Sequence, residues 1–189
     1  MKRAIPILAI ILLIFSCATP GTGTRTAQAP SLDATSLKAR GTGSYKASDF
    51  AGALSDYLAA ARKAPGDLET TGMIGLCQAQ LGDLANGRKN LERFLASPET
   101  KSGFMLHEAG RVYGKIFKEY DRAIMILNDA IVAHWASDCR DYLEMGDIYL
   151  AMGKQAMAKE TYRKAYTIAQ QSQDAAGIEA ALAGIAGTE

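Results

Sequence analysis

Apolar residues recur along this chain at intervals of three and four positions, which is the spacing of amphipathic α-helices. The clearest stripes are Leu54, Tyr57, Leu58 and Ala61; Leu84, Gly87, Leu91, Phe94 and Leu95; and Ile124, Leu127, Ala130 and Ile131. No proline lies inside these three stripes, so nothing in them breaks a helix. The pattern predicts an all-α protein in which each helix has one apolar face to bury.

Small residues recur over a longer interval. Successive glycines are separated by 34, 35 and 36 residues, at Gly41, Gly75, Gly110 and Gly146. A second small residue follows each glycine by 12 or 13 positions, at Ala53, Gly87, Ala123 and Ala158. This arrangement is typical of stacked helical hairpins, because two helices can come close only where the side chains are small. A single hairpin cannot bury its stripe, so the hairpins must stack into a solenoid.

The residues around these glycines resemble the tetratricopeptide repeat, a helical hairpin of about 34 residues. In the fourth unit the residues that match the motif are Tyr142, Met145, Gly146, Tyr149, Gly153, Ala158, Tyr162 and Ala165. The resemblance extends over about residues 33–172 and implies an α-solenoid of about four helical hairpins. The four units cover about residues 34–67, 68–102, 103–138 and 139–172.

The third unit departs from the regular interval. It has one additional residue between Gly110 and Ala123, and the connections on either side of it account for the rest of the lengthening. Insertions are tolerated in turns, where the helices on both sides keep their register. We therefore expect the third unit to be the place where the stack bends or shifts.

The C-terminal residues 173–189 predict one more helix. They are rich in alanine and carry Ile178, Leu182 and Ile185 at helical spacing, with Asp174 in position to cap the first turn. The last repeat of a solenoid leaves an apolar face exposed, and we expect this helix to pack over that face. Two glycines within it weaken an isolated helix, so it is expected to depend on docking.

The first residues resemble a bacterial lipoprotein signal peptide, residues 1–16. Two basic residues precede an apolar run over residues 4–15. Twelve helical residues extend about 18 Å against a hydrocarbon core of about 30 Å, so this is a signal peptide rather than a membrane span. The four residues that end at Cys17 resemble a lipobox, which implies that Cys17 is lipidated. The alternative is an ordinary secretory signal that is cleaved near Ala18.

The next residues, 17–32, predict a flexible linker that carries the lipid anchor, because their small and polar composition has little to bury. The lipoprotein resemblance implies a location in the bacterial cell envelope. Ala18 after the cysteine implies the outer membrane, with the solenoid facing the periplasm.

Charge and cysteine content exclude some functions. Removal of residues 1–16 takes away Lys2 and Arg3, so 21 − 2 = 19 basic and 20 acidic residues remain. Nucleic-acid binding needs a basic surplus, so no nucleic acid is expected as a partner. Cys77 and Cys139 lie about two repeats apart, and we expect both to be packing residues rather than a disulfide.

No pattern of catalytic or metal-binding residues is present. His107-Glu108 begins like a zinc-protease helix, but Arg111 stands where the second histidine is required. His134 and Cys139 lack further ligands nearby, and His134 is expected to be a solvated residue at a helix end. The chain has no phosphate-binding loop and no Gly-x-Ser-x-Gly elbow. We predict no enzyme activity, no metal and no cofactor.

The resemblance implies that the first helix of each unit lines a concave groove. Carried over to this chain, the expected groove residues include Lys38, Tyr45, Lys46, Leu76, Gln80, His107, Arg111, Lys115, Arg140, Leu143 and Asp147. Of the 20 positions that the motif assigns to the groove, five are basic and two are acidic. An extended or helical peptide with acidic and apolar side chains would suit such a groove. Of the residues that clamp a terminal carboxylate in some relatives only Lys38 is present, so no such clamp is expected.

These expectations lead to a functional hypothesis. The chain is predicted to be a non-catalytic, lipid-anchored adaptor that binds a protein or peptide partner and supports assembly of an envelope complex. One alternative is an accessory protein that holds a small apolar solute between Leu76, Leu143 and Leu150; another is a self-associating scaffold. Trp135, the only tryptophan, either closes a gap between stacked units or anchors a partner. The oligomeric state stays open.

Overall fold

The computed structural model describes residues 32–97, 101–134 and 137–189, which contain nine α-helices and no β-strand. The helices are α1 (Ala34–Lys46), α2 (Phe50–Lys63), α3 (Leu68–Gln80), α4 (Leu84–Leu95), α5 (Gly103–Lys115), α6 (Tyr120–Ala133), α7 (Cys139–Ala151), α8 (Gln155–Gln171) and α9 (Ala175–Ala186). The all-α prediction is confirmed. Residues 1–31, with Cys17, and Trp135 lie outside the described residues, so the signal peptide and the anchor remain predictions.

Polar side chains define where most of these helices begin. The N-cap residues whose side chains accept a backbone N–H of the first turn are Asp33, Asp49, Asp67, Asp83, Ser102, Asp138 and Asp174. Each satisfies a donor that the helix itself leaves unpaired. In the turns that lead into α4 and α8, the residue before the N-cap is Gly82 or Gly153, with φ of 87° and 73°. Glycine adopts this left-handed conformation without steric cost.

The small residues lie where paired helices meet. Each odd-numbered helix up to α7 packs on the even-numbered helix that follows it. A Cβ atom on Gly75 would lie 2.9 Å from both the Gly87 carbonyl oxygen and the Leu91 backbone nitrogen. Ala53, Ala123 and Ala158, the second small residue of their units, are fully buried. The prediction that the glycine interval marks close helix contacts is therefore confirmed.

The extra residue of the third unit lies in a turn. Helices α5 and α6 are joined by residues 116–119, whereas the corresponding connections 47–49, 81–83 and 152–154 are one residue shorter. The longer turn has its left-handed residue at Lys118, with φ of 58°. The helices on both sides keep their packing, as expected for an insertion at this place.

The core is continuous from α1 to α7, and a smaller cluster closes the C-terminal end. In that cluster Ala181 of α9 packs with Cys139, Ala165 and Ala169 of α7 and α8. The two glycines of α9 lie at close contacts, because a Cβ atom on Gly184 would lie 2.6 Å from the Tyr162 ring. Helix α9 therefore covers the end of the fourth hairpin. None of the helices in the described ranges is long and apolar enough to cross a membrane.

Candidate partner-binding cavity

An open cavity of about 670 Å³ lies where the first helices of three hairpins converge. Helices α1, α5 and α7 and the start of α2 form its walls. The residues that line it are Tyr45, Lys46, Ser48, Phe50, Phe104, Glu108, Arg111 and Arg140. Two apolar rings, three cationic side chains and one carboxylate among them make a surface suited to a mixed apolar and charged ligand.

A partly buried hydrogen-bond network holds α1 against α5 at the base of the cavity. Tyr45 Oη donates to Glu108 Oε2 at 2.8 Å, across 63 positions of the sequence. Arg111 Nη2 donates to the same oxygen at 2.6 Å. Burial, reinforced by the Glu108 carboxylate, raises the pKa of Tyr45, so its phenol stays protonated. Burial opposes the charge on Arg111, but Glu108 outweighs it and raises the pKa of the guanidinium. The base of the cavity is therefore rigid and its charges are largely balanced.

Aromatic rings form the apolar wall. Tyr45 makes edge contacts with Phe50 and Phe104, with ring centroids 5.3 and 6.5 Å apart. Lys46 Nζ lies 5.6 Å from the centroid of the Phe104 ring, a distance at which a cation is attracted to the ring face. Within the described residues Lys46 has no carboxylate partner. An uncompensated positive charge therefore stands next to an aromatic wall.

Arg140 supplies a second exposed cation at the rim. Its Nε donates to Asp138 Oδ1 at 2.9 Å, and its Nη2 also contacts the same carboxylate. The hydrogen bond to Asp138 raises the pKa of Arg140. Asp138 caps α7, so this pair fixes the guanidinium at the start of the helix and offsets part of its charge. Lys46 consequently provides most of the positive surplus of the cavity.

Comparison with known proteins places this geometry in a family of folds. Residues 142–172 match the family model of the tetratricopeptide repeat. Together with the stacked hairpins, this match decides the architecture. The fold is a tetratricopeptide-repeat solenoid. No curated protein matches the chain in sequence.

Several solved structures share this fold. The structure of pilF from Pseudomonas aeruginosa superposes with a TM-score of 0.61 at 15% identity, over 82% of this chain and 76% of that chain. TTC0263, a thermophilic TPR protein from Thermus thermophilus, gives 0.59 at 17% identity, over 82% and 89%. MamA gives 0.56 at 23% identity, over 80% and 81%. Tetratricopeptide solenoids generally serve as non-catalytic surfaces for protein partners.

Most of the predicted basic residues of the tetratricopeptide groove are paired with acids. Lys38 Nζ lies 2.8 Å from Asp67 and 3.2 Å from Glu69, in the next unit. Lys115 Nζ lies 2.8 Å from Glu144 and 3.5 Å from Asp147. Together with Arg111 and Arg140, these pairs compensate four of the five predicted cations. The basic surplus expected of the whole groove is thus confined to the cavity around Lys46.

Three predicted groove residues are buried, and one of them is Tyr45 at the base of the cavity, which is 5% exposed. Leu76 of α3 has 0% exposure and belongs to the same apolar cluster as Tyr45. His107 is 6% exposed. Leu76 packs inside the apolar core and His107 packs against Asp141, so neither side chain presents a surface to a partner. Burial of Leu76 also removes one wall of the solute pocket considered as an alternative. Gln80 and Leu143 are half-buried, and Lys46, Lys115, Arg140 and Asp147 are exposed.

The two histidines share one buried carboxylate, which the sequence did not reveal. His107 Nδ1 lies 2.7 Å from Asp141 Oδ1, and His134 Nδ1 lies 2.8 Å from Asp141 Oδ2. Asp141 is completely buried. The expectation of a solvated His134 was wrong, because its ring is hydrogen-bonded to the buried carboxylate of Asp141. The separation of 34 residues between His107 and Asp141, one repeat, was the available signal.

Neither Cys77 nor Cys139 is in a setting that makes a thiol reactive. Burial raises the pKa of Cys77 to about 12. Burial, followed by a hydrogen bond to Asp174, raises the pKa of Cys139 to about 11. Both groups are therefore neutral thiols at physiological pH and poor nucleophiles. Within the described residues no three histidine, cysteine or acidic side chains are grouped so that they could hold a metal ion.

Proposed function

We propose that this chain is a non-catalytic adaptor that binds a segment of a partner protein in the cavity between α1, α5 and α7. The observation that carries the proposal is Lys46, which lies beside Phe104 without an acidic partner in the described residues. Elsewhere along the first helices the charges are mostly compensated by nearby carboxylates, either in the next unit or in the same one. A ligand gains most binding free energy where an uncompensated charge lies beside an apolar wall.

The chemistry of the cavity defines the partner segment. An acidic side chain of the partner would approach Lys46 and Arg140, which are both exposed. An apolar side chain beside it would pack on Phe50 and Phe104. Because Tyr45, Glu108 and Arg111 are held by their own hydrogen bonds, they provide a preformed base that loses little freedom on binding. The expected ligand is an acidic and apolar peptide segment.

Reversal of the charges on Lys46 and Arg140 tests this proposal. We expect the double variant Lys46→Glu and Arg140→Glu to lose capture of the partner by affinity purification after crosslinking in cells. The reason is that the variant brings two carboxylates towards an acidic ligand. Circular dichroism should show an unchanged helical fold, since both side chains are exposed.

The matched control is Lys89→Glu with Arg93→Glu on α4. Both residues are exposed and lie on a different helix from the cavity, and the change in net charge is the same. This control should capture the partner as well as the parent chain does. Capture that survives in the cavity variant, or that is lost equally in the control, contradicts the proposed site.

The anchor is the second part of the proposal. The lipobox-like residues that end at Cys17 and the low-complexity linker to residue 32 support lipid attachment in a bacterial envelope, facing the periplasm from the outer membrane. Such a tether would keep the cavity close to membrane-bound partners and would suit an adaptor for assembly of an envelope complex.

Substitution of the cysteine tests the anchor separately from the cavity. The variant Cys17→Ser should move from the membrane fraction to the soluble fraction of cell lysates, because the thiol that receives the lipid is gone. Partner capture through the cavity in solution should persist. Membrane retention equal to that of the parent chain would rule the anchor out.

A further inference from the structure

A second open cavity, the tyrosine cleft, lies between α6, α7 and α8, where the third and fourth units meet. Tyr142 and Tyr149 of α7 line it together with Ile131 of α6 and Met157 of α8. Because α7 packs on both of the other helices, its tyrosines lie in the middle, and Ile131 and Met157 lie on either side. The volume of about 410 Å³ is within the range of ligand sites. The cleft shares no lining residue with the cavity around Lys46.

The pair of tyrosines is specific to the fourth unit. Tyr142 and Tyr149 are the fourth and eleventh residues of α7, and both are half-buried. The residues at the same two positions of the preceding first helices are Leu37 and Ser44, Thr71 and Gln78, and Leu106 and Tyr113. Tyr113 is completely buried. Among the four hairpins, the fourth therefore presents two accessible rings on one helix face.

Both phenol groups of the cleft have hydrogen-bonding capacity that the chain does not use. The buried tyrosines Tyr45, Tyr57 and Tyr162 place their hydroxyls in hydrogen bonds to other side chains. Within the described residues the hydroxyls of Tyr142 and Tyr149 make no such bond. Each ring packs on the apolar core, while its hydroxyl stays available as a donor to a ligand.

The charged residues of the cleft compensate each other. Lys164 Nζ lies 2.9 Å from Glu160 Oε1, one helical turn away on α8, and both side chains are exposed. The hydrogen bond to Glu160 raises the pKa of Lys164, and the phenols of Tyr142 and Tyr149 add to this, so both hydroxyls lie near the Lys164 side of the cleft. An uncharged ligand therefore matches this cleft, in contrast to the cavity around Lys46.

The spacing of the two rings indicates the conformation of the ligand. Tyr142 and Tyr149 are separated by seven helical residues, which is about 10.5 Å along α7. A polyproline II segment repeats every three residues, or about 9.3 Å, and none of its carbonyl groups is used in an internal hydrogen bond. Successive turns of such a segment would place prolines beside the two rings and carbonyl oxygens near the two hydroxyls. Proline-rich segments are recognised in aromatic-lined grooves of this kind.

We propose that the tyrosine cleft binds a proline-rich segment of a partner protein, with one turn of the polyproline II helix at Tyr142 and the next at Tyr149. Such a segment is stiff before it binds, so it loses little conformational entropy. Its proline residues carry no charge and no backbone donor, which suits a neutral cleft that offers donors. This is a second site, and it does not depend on the function proposed for the cavity around Lys46.

Isothermal titration calorimetry of the full chain with a ten-residue polyproline peptide tests the cleft. The parent chain should bind the peptide. The double variant Tyr142→Phe and Tyr149→Phe should bind about tenfold more weakly, because two hydrogen-bond donors are lost while both rings remain. The matched control is Tyr120→Phe with Tyr166→Phe, two half-buried tyrosines outside the cleft, and it should bind like the parent chain.

Four results would overturn the proposal. The parent chain does not bind the peptide, or the cleft variant binds it as tightly as the parent chain does. A glycine-serine peptide of the same length, which offers the same carbonyl groups on a flexible backbone, binds equally well. Finally, Lys46→Glu with Arg140→Glu weakens peptide binding, which would place the peptide in the other cavity. Unchanged binding by that charge variant keeps the two sites distinct, so either can fail without the other.

Discussion

Replacement of Asp141 by alanine is expected to lower the free energy of unfolding by about 3 kcal/mol, because a buried donor without a partner costs about 1–3 kcal/mol. Asp141 is completely buried on α7 and accepts hydrogen bonds from both histidines. Its loss leaves two Nδ1–H groups without an acceptor and opens a small void. The contact between Asp141 and His107 also joins the third unit to the fourth. Its loss therefore weakens the packing between these two hairpins.

Urea denaturation of the full chain, followed by circular dichroism, measures this loss. Asp129→Ala on α6 is the matched control, because Asp129 is exposed and the same atoms are removed. Its effect should stay within about 0.5 kcal/mol, as for most surface substitutions. If Asp141→Ala unfolds at the same urea concentration as this control, the buried carboxylate does not stabilise the stack.

Replacement of Gly75 by alanine is expected to cost about 2 kcal/mol, as overpacking of a tight core does. The added methyl group would meet backbone atoms of Gly87 and Leu91 at 2.9 Å. Backbone atoms cannot turn away as a flexible side chain can, so α3 and α4 have to move apart. The thermal midpoint should fall, and a drop of 1 kcal/mol corresponds to about 2–4 °C for a chain of this size.

Gly43→Ala is the control, and its effect should have the opposite sign. Gly43 also lies within a helix, α1, but a Cβ atom there would meet nothing within 4 Å. Alanine in an exposed helical position is more favourable than glycine by about 0.5–1 kcal/mol. The midpoint of Gly43→Ala should therefore rise. A fall for both variants, or for neither, would contradict the close-contact role of the repeated glycines.

The fold was predictable because its determinants are local or periodic. The interval of the glycines marks the contacts between paired helices, and the structure has Gly75 and Gly110 at those contacts. Aspartates such as Asp174 mark helix starts within a single turn. The same interval also placed the extra residue of the third unit in the turn 116–119. Each of these signals depends on residues close together or one repeat apart.

The cavity was only partly predictable, because its charge depends on carboxylates at positions that the repeat motif does not assign to the groove. The groove positions of the motif carry five cations, whereas Glu108, Asp138 and Glu144 at other positions neutralise most of them. Burial of Leu76 follows from its packing inside the apolar core, which the repeat motif does not define. The pairing of Asp141 with two histidines likewise requires the actual stacking of the hairpins.

Site-specific photo-crosslinking in cells tests directly whether a protein partner binds in the cavity. Benzoylphenylalanine in place of Phe104 puts the reactive group in the cavity, whereas the same group in place of Met125, 68% exposed on α6, puts it on a face away from the cavity. We expect a protein adduct from position 104 that disappears with Lys46→Glu and Arg140→Glu, and none from position 125. An adduct from position 125 alone, or one at position 104 that survives charge reversal, would contradict it.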